Sequence, residues 1–185
     1  CAAISEIPKL PNSVKILTST FSQTNISVAP EIPDGVEIMI NTFGNCVNLL
    51  ETPYIPNSVT NFSATFTGCT NLKKVKNIPQ KTTTLSHTFF KCTSLISIPN
   101  EIPNTVKDMP SAFQFTGLEI APDIPDSVTN MSSTFRECKN LKKVNKISDN
   151  VEDMQFTFYN CNILEGNLEI NANPTNYLAC FNGCS

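Results

Sequence analysis

A single phenylalanine recurs through the whole chain at an almost constant interval. Residues 59–78 and 128–147 show how strict the repeat is, since 13 of their 20 positions are identical. A fixed period of roughly 20–50 residues is the signature of stacked supersecondary units. Successive phenylalanines lie 22, 23, 23, 24, 22, 23 and 23 residues apart, at Phe21, Phe43, Phe66, Phe89, Phe113, Phe135, Phe158 and Phe181.

Other apolar residues recur at fixed distances from this phenylalanine. Valine is the usual residue seven positions before it. A second column lies eleven before it, at Leu10, Ile32, Ile55, Ile78, Ile102, Ile124, Ile147 and Ile170. A third lies four before it, at Leu17, Met39, Phe62, Leu85, Met109, Met131, Met154 and Tyr177. In a solenoid each unit contacts only its neighbours, so we expect residues 1–185 to form one solenoid of about eight turns of about 23 residues.

The content of one turn favours short strands joined by tight corners. The β-branched run Val-Thr-Asn-Met predicts a short strand, and Ser-Ser-Thr-Phe predicts a short helical or 3₁₀ corner. The same apolar spacing also fits one long helix per turn, although the valine, threonine and proline content favours strands. Proline lacks an N–H and marks a corner without a ladder donor, at Pro11, Pro33, Pro56, Pro79, Pro103 and Pro125.

The position just before the aliphatic residue that follows each cysteine corner is often asparagine or glycine. Both residues tolerate a left-handed backbone. We therefore expect positive φ angles there, with an exception at the isoleucine. The column contains Asn25, Asn48, Asn71, Ser94, Gly117, Asn140 and Ile163.

The turns differ slightly in length, and the two ends of the chain differ from the middle. The turns of Phe21 and Phe113 are one residue short and lack the usual cysteine, so we expect the loss at that corner. Residues 1–7 match residues 69–75, which predicts that the chain is a segment of a longer array. A lipid-anchored Cys1 is the alternative. Residues 162–185 diverge from the repeat, as the approach to a C-terminal cap would.

The pattern resembles the BspA-type leucine-rich repeats. The resemblance lies in Ile124-Pro125, Val128, Met131, Phe135, Cys138 and Leu141, and in their equivalents along the whole chain. It implies a right-handed parallel β (or α/β) solenoid, usually on bacterial or protist cell surfaces and associated with adhesion. It implies neither a particular ligand nor catalytic residues, because a fold alone does not fix a function.

Charge and hydropathy exclude several classes of partner. The net charge is −3 and 16% of residues are charged, whereas a nucleic-acid-binding surface is basic. The sequence contains no run of 18 apolar residues, so it predicts no membrane span. No signal segment leads the chain. We predict no cofactor, no nucleic acid partner and no membrane insertion by this segment.

The cysteines are the strongest candidates for a chemical site. A ladder of small buried hydrophobic residues explains their spacing, and disulfides or a zinc site are the alternatives. Only Cys180 and Cys184 have a spacing close to that of zinc ligands, without a second pair. The single histidine, His87, is predicted to be a surface residue rather than part of a Cys–His nucleophile. The recurring cysteines are Cys1, Cys46, Cys69, Cys92, Cys138, Cys161 and Cys184.

Two classes of function remain open. The first is a non-catalytic, adhesin-like binding module, cell-surface or secreted, that presents a solenoid surface to protein or glycan ligands. The second is a passive spacer or scaffold within a larger surface protein. Exposed aromatic or arginine anchors distinguish them, because binding surfaces need such anchors and a spacer does not.

The corner just after the phenylalanine column is the predicted ligand site. Small or polar residues usually follow the phenylalanine, so Phe90 and Tyr159 stand out, with Arg136 between them in the sequence. Phe115, one place further along its turn, either joins them or folds inward to replace the missing cysteine. A second candidate surface is a lysine column, at Lys73, Lys74, Lys142 and Lys143.

Overall fold

The backbone of the computed structural model, which describes residues 7, 9–99, 101–166, 170 and 172–184, is a stack of parallel turns. One row of isolated parallel bridges runs through most of it, five residues before each phenylalanine. This row links Ile16, Ile38, Asn61, Thr84, Asp108, Asn130, Asp153 and Asn176. Three further parallel bridges lie elsewhere around the turns, at Glu51–Lys74, Glu101–Asp123 and Ile120–Lys143.

The described residues form no α-helix, no 3₁₀-helix and no strand longer than one bridged residue. The predicted helical or 3₁₀ corners are therefore wrong, as is the alternative of one long helix per turn. The predicted short strands are reduced to single bridges. Successive tight turns occupy the chain around each phenylalanine instead. The right-handed winding implied by the resemblance stays a prediction.

Backbone hydrogen bonding explains why a helix does not form. In the turn of Phe43, alternate amides donate to the neighbouring turn, and the amides between them donate three residues back within their own turn. The second set closes tight turns at Thr42, Gly44 and Cys46, with N···O distances of 3.4, 3.1 and 3.0 Å. The first set forms a ladder from Met39, Asn41, Phe43 and Asn45 to the carbonyls of Asn61, Ser63, Thr65 and Thr67, at 2.6–3.0 Å.

Two columns of left-handed residues accompany this ladder. A left-handed residue interrupts a helical run. In every turn but the last, these residues donate their amides to the next turn, which holds the strained backbone in place. One column lies two residues before the phenylalanine, at Ser19, Asn41, Ala64, His87, Ser111, Ser133, Phe156 and Ala179. The other lies two after it, at Gln23, Asn45, Gly68, Lys91, Phe115, Glu137, Asn160 and Gly183.

The left-handed column predicted from asparagine and glycine is wrong. None of the described residues Asn25, Asn48, Asn71, Ser94, Gly117, Asn140 and Ile163 has a positive φ. The left-handed geometry is needed where every second amide turns toward the neighbouring turn, which is around the phenylalanine rather than in the loop after it.

The core is a row of stacked phenylalanine rings. From Phe21 to Phe181 the centroids of successive rings lie 5.2–5.9 Å apart, and their planes differ by 2–15°. Offset-stacked aromatic pairs have such separations. The other apolar columns are buried beside this row. They open toward the ends of the stack, where Leu10 and Ile170 are half-buried and Tyr177 is 45% exposed.

The two shortened turns retain a polar atom in the cysteine column. Thr24 and Thr116 occupy it, and each hydroxyl donates 2.7 Å to the carbonyl of its own phenylalanine. The same hydroxyls lie 3.4 and 3.3 Å from the sulfur of the next turn's cysteine, Cys46 or Cys138. The missing residue is therefore lost after this column rather than within it.

Candidate ligand-binding surface

Four consecutive turns carry aromatic and cationic side chains on either side of the phenylalanine row. We call this group the aromatic corner. Its members come from positions two before, one after and two after the row. They are His87, Phe90, Lys91, Phe115, Arg136, Phe156 and Tyr159.

The first half of the aromatic corner is built around Phe90 and Phe115. Their ring centroids lie 5.8 Å apart with planes at 83°, so the edge of one ring faces the other. Lys91 Nζ lies 5.2 Å from the centroid of Phe90 and 5.9 Å from that of Phe115. Phe115 is half-buried in this cluster, and Thr116 fills the cysteine column in its place. The interpretation in which Phe115 folds inward is therefore wrong.

The second half is built around Arg136. Its Cζ lies 5.2 Å from the centroid of Phe156 and 4.9 Å from that of Tyr159, both within range of a cation–π interaction. The two rings meet edge to face at 5.7 Å. Arg136 thus packs on Tyr159 and on Phe156, and this cluster does not include Phe90.

The guanidinium of Arg136 has no polar partner in the described part of the chain. Its Nε is buried without a hydrogen bond. The adjacent carboxylate of Glu137 is engaged elsewhere, because its Oε1 accepts from Asn160 Nδ2 at 2.7 Å and Lys139 Nζ lies 3.8 Å from its Oε2. The Nε is covered by its neighbours, so the terminal amino groups of the guanidinium are the donors left for a ligand.

The inter-turn ladder fixes the backbone beneath these side chains. The amide of Lys91 donates 2.9 Å to the carbonyl of Gln114, and that of Phe115 donates 3.0 Å to the carbonyl of Arg136. The amide of Glu137 donates 2.8 Å to the carbonyl of Tyr159. The aromatic corner therefore stands on backbone whose amides are hydrogen-bonded to the neighbouring turn.

The predicted lysine surface lies elsewhere on the turn, seven or eight residues beyond the phenylalanine. Lys74 and Lys142 pair with Glu51 and Glu119 at 3.7 and 3.2 Å, so part of the charge is neutralised. Lys143 lines a groove of about 630 Å³ together with Ile96, Ile98, Ile120 and Pro122. Lys73 is exposed. The structure does not bring these lysines to the aromatic corner.

The prediction of a buried cysteine column is confirmed for five of its members, whereas Cys184 in the last turn is half-buried and Cys1 lies outside the described residues. Cys46, Cys69, Cys92, Cys138 and Cys161 are buried free thiols. Each sulfur lies 3.0–3.2 Å from the carbonyl of the preceding turn's phenylalanine, to which the thiol donates. Burial raises the pKa of Cys138 to about 11, and it raises that of Cys69 further. Such thiols are poor nucleophiles, because the thiolate is the reactive form.

No group of three potential metal ligands occurs among the described residues. His87 is exposed as predicted, and its ring packs 5.8 Å from that of Phe90. In the described ranges no helix has the length and hydropathy to cross a bilayer.

Sequence reasoning missed three members of the aromatic corner: His87, Lys91 and Phe156. They lie two residues from the phenylalanine, in the left-handed columns. A signal for one of them was present. The column two before the phenylalanine otherwise holds Ser, Asn, Ala or His, so Phe156 is its one large apolar residue.

A stack of parallel-bridged turns with a period near 23 residues and recurring leucines defines a leucine-rich-repeat solenoid. The family described as the BspA-type leucine-rich repeat region (six copies) matches residues 1–119 and 110–185. The chain belongs to this family, which confirms the resemblance seen in the sequence. Leucine-rich repeats of this kind are interaction modules, and the family is commonly surface-associated.

A solved leucine-rich repeat structure supports the fold assignment. A leucine-rich repeat protein from Bacteroides ovatus is similar over 97% of this chain, with a TM-score of 0.71 and 24% identity. The match covers 53% of that protein, so the chain spans about half its length. The leucine-rich repeat protein of T. pallidum matches 65% of this chain and 68% of its own, with a TM-score of 0.49 and 21% identity. No curated protein matches the sequence.

Proposed function

We propose that this chain is a non-catalytic, adhesin-like binding module of a cell-surface or secreted protein, and that the aromatic corner is its ligand-binding surface. The proposed partner is a protein or a glycan. Membership of a commonly surface-associated family supports the location. The choice of the aromatic corner as the binding surface rests on the residues of this chain and not on the family.

The observation that carries the proposal is the concentration of anchors on one edge of the stack. Turns one to three have Ser22, Gly44 and Thr67 just after the phenylalanine, whereas turns four, six and seven have Phe90, Arg136 and Tyr159. All three of these larger side chains are half-buried, so they are packed by neighbours yet reach the surface. Binding hot spots are enriched in aromatic residues and arginine held in this way.

The passive spacer remains the competing function, and a paired comparison separates the two. The parent chain and a Phe90→Ser, Tyr159→Ser variant are probed against an array of glycans and matrix proteins. We expect the variant to lose the parent's binding while it still unfolds in a cooperative transition above the temperature of the assay. The control is Leu50→Ser, Tyr54→Ser, which removes two exposed apolar side chains from outside the aromatic corner.

Each outcome decides between the functions. A parent that binds nothing on the array supports the spacer. A Phe90→Ser, Tyr159→Ser variant that binds as well as the parent means that the aromatic corner is not the site. Loss of binding in the control variant alone points to another face. The lysine column (Lys73, Lys74, Lys142 and Lys143) is our second-ranked surface, because glutamates already pair with part of it.

A further inference from the structure

We propose that the aromatic corner binds a linear anionic glycan and that Arg136 anchors one of its carboxylate or sulfate groups. This proposal rests on the proposed function, because it assigns a ligand class to the same surface. It adds that the ligand is negatively charged and that Arg136 binds it. A binding module could function without either property.

Arg136 is the only arginine of the chain. Phe156 and Tyr159 hold its guanidinium at 5.2 and 4.9 Å from their ring centroids, so the planar group is fixed before any ligand arrives. Its Nε is buried without a partner, and no carboxylate pairs with it within the described residues. A fixed guanidinium presents its donors as a fork that matches the two oxygens of a carboxylate or sulfate.

The surrounding charges favour an anion with more than one charged group. Lys91 is a second cation without an ion pair among the described residues, and it lies in the aromatic corner two turns before Arg136. The stacked rings advance 5.6 and 5.7 Å over those two turns. Many other lysines are already neutralised, since carboxylates lie within 3.7 Å of Lys15, Lys74, Lys76, Lys142 and Lys146.

The shape of the surface favours a thin polymer over a globular protein. The aromatic corner is a strip four turns long and two or three side chains wide. A typical protein interface buries about 800 Å² on each partner, whereas five of the seven side chains in this narrow strip are already half-buried by their neighbours. A linear chain lying along the strip reaches both Lys91 and Arg136.

The backbone favours a glycan over an extended peptide. Peptides commonly bind by adding a strand, which needs free backbone donors and acceptors. Here the amides of Lys91, Phe115 and Glu137 are bonded to the next turn, so a peptide gains no such contacts. A sugar ring needs none, because its C–H face packs on the negative face of an aromatic ring.

Two matched pairs of polymers test the charge requirement. Polygalacturonate is compared with its fully methyl-esterified form, and dextran sulfate with dextran. In each pair the backbone is kept and the anion is removed. We expect the chain to bind at least one charged polymer and neither neutral one, with affinity falling as salt is raised because exposed charges are screened. Polyglutamate serves as the peptide arm.

Three single variants test the anchor. Arg136→Gln removes the charge and is expected to weaken binding about tenfold or more, as the loss of a charge-assisted bidentate contact does. Arg136→Lys keeps the charge but loses the planar fork, so we expect it to weaken binding as well. Lys107→Gln is the matched control, because it removes one exposed charge outside the aromatic corner and should leave binding unchanged. Melting curves confirm that all three variants are folded.

Four results would overturn this inference. They are equal binding of charged and neutral polymers, full binding by Arg136→Gln, preferential binding of polyglutamate, and failure to bind either charged polymer. The binding module survives the first and last of these if Phe90→Ser, Tyr159→Ser still abolishes capture of another ligand. The two proposals therefore fail separately.

Discussion

Each phenylalanine of the stack is stabilised by its two neighbours as well as by its own burial. Phe66 is fully buried, and its centroid lies 5.4 Å from that of Phe43 and 5.9 Å from that of Phe89. The ring of Phe62 packs against it edge to face at 5.8 Å. Removing this one ring leaves a cavity in contact with three others.

We therefore expect Phe66→Ala to lower the free energy of unfolding by about 3–5 kcal/mol, as large-to-small changes of buried aromatic residues do. Lys73→Ala is the control, and because Lys73 is exposed its effect should stay within about 0.5 kcal/mol. Urea denaturation measures both. Similar losses in the two variants would show that the phenylalanine row is not the core.

The residue scale also shows how far the candidate site was visible in the sequence. Phe90 and Tyr159 were found because they break a column of small residues. The contact between Arg136 and Phe156 was missed, since it joins a residue one after the phenylalanine to a residue two before the phenylalanine of the next turn. A repeat alignment compares positions within a column and cannot show contacts between columns.

At the scale of the repeating element, the thiol column makes stability depend on pH. An unfolded thiol ionises near pH 9, whereas burial holds the pKa of Cys138 at about 11. Between these values the unfolded state releases a proton that the folded state retains. The contribution of Cys138 is thus complete below pH 9 and is lost as the pH rises toward 11.

We expect the free energy of unfolding to fall above pH 9, and Cys138→Thr to make that fall shallower by up to about 1.4 kcal/mol per pH unit. Thr24 and Thr116 show that a hydroxyl fits this column. Denaturant unfolding between pH 8 and 11 measures the slope. Parallel pH profiles for parent and variant would mean that Cys138 ionises equally well in the folded chain.

The element scale separates what the sequence predicts from what it leaves open. The apolar columns were predictable, because the same kind of side chain returns to the same place in each turn. The corner geometry was not, because it depends on backbone bonds to the neighbouring turn. The left-handed positions accept Ala64, His87, Lys91 and Phe156 alike, so composition carries little trace of them.

At the scale of the whole molecule, stability is expected to be a sum over turns and their interfaces. Deleting residues 46–68 removes one period and places Phe43 23 residues before Phe89 in the shortened chain. We expect this variant to fold with the parent's spectroscopic signature and a modestly lower stability. Deleting residues 46–57 shifts every later column by about half a turn and should prevent cooperative folding. Circular dichroism with urea denaturation tests both, and equal behaviour would argue against a modular stack.

The ladder between turns has a mechanical consequence. Its hydrogen bonds connect one turn to the next, so a pull on the two ends of the chain loads the outermost interface first. The turns should then peel away one after another instead of resisting together. Each released turn of about 23 residues lengthens the chain by roughly 80 Å. In a single-molecule stretching experiment this domain should extend in small, regularly spaced steps at low force, and so dissipate the applied load gradually.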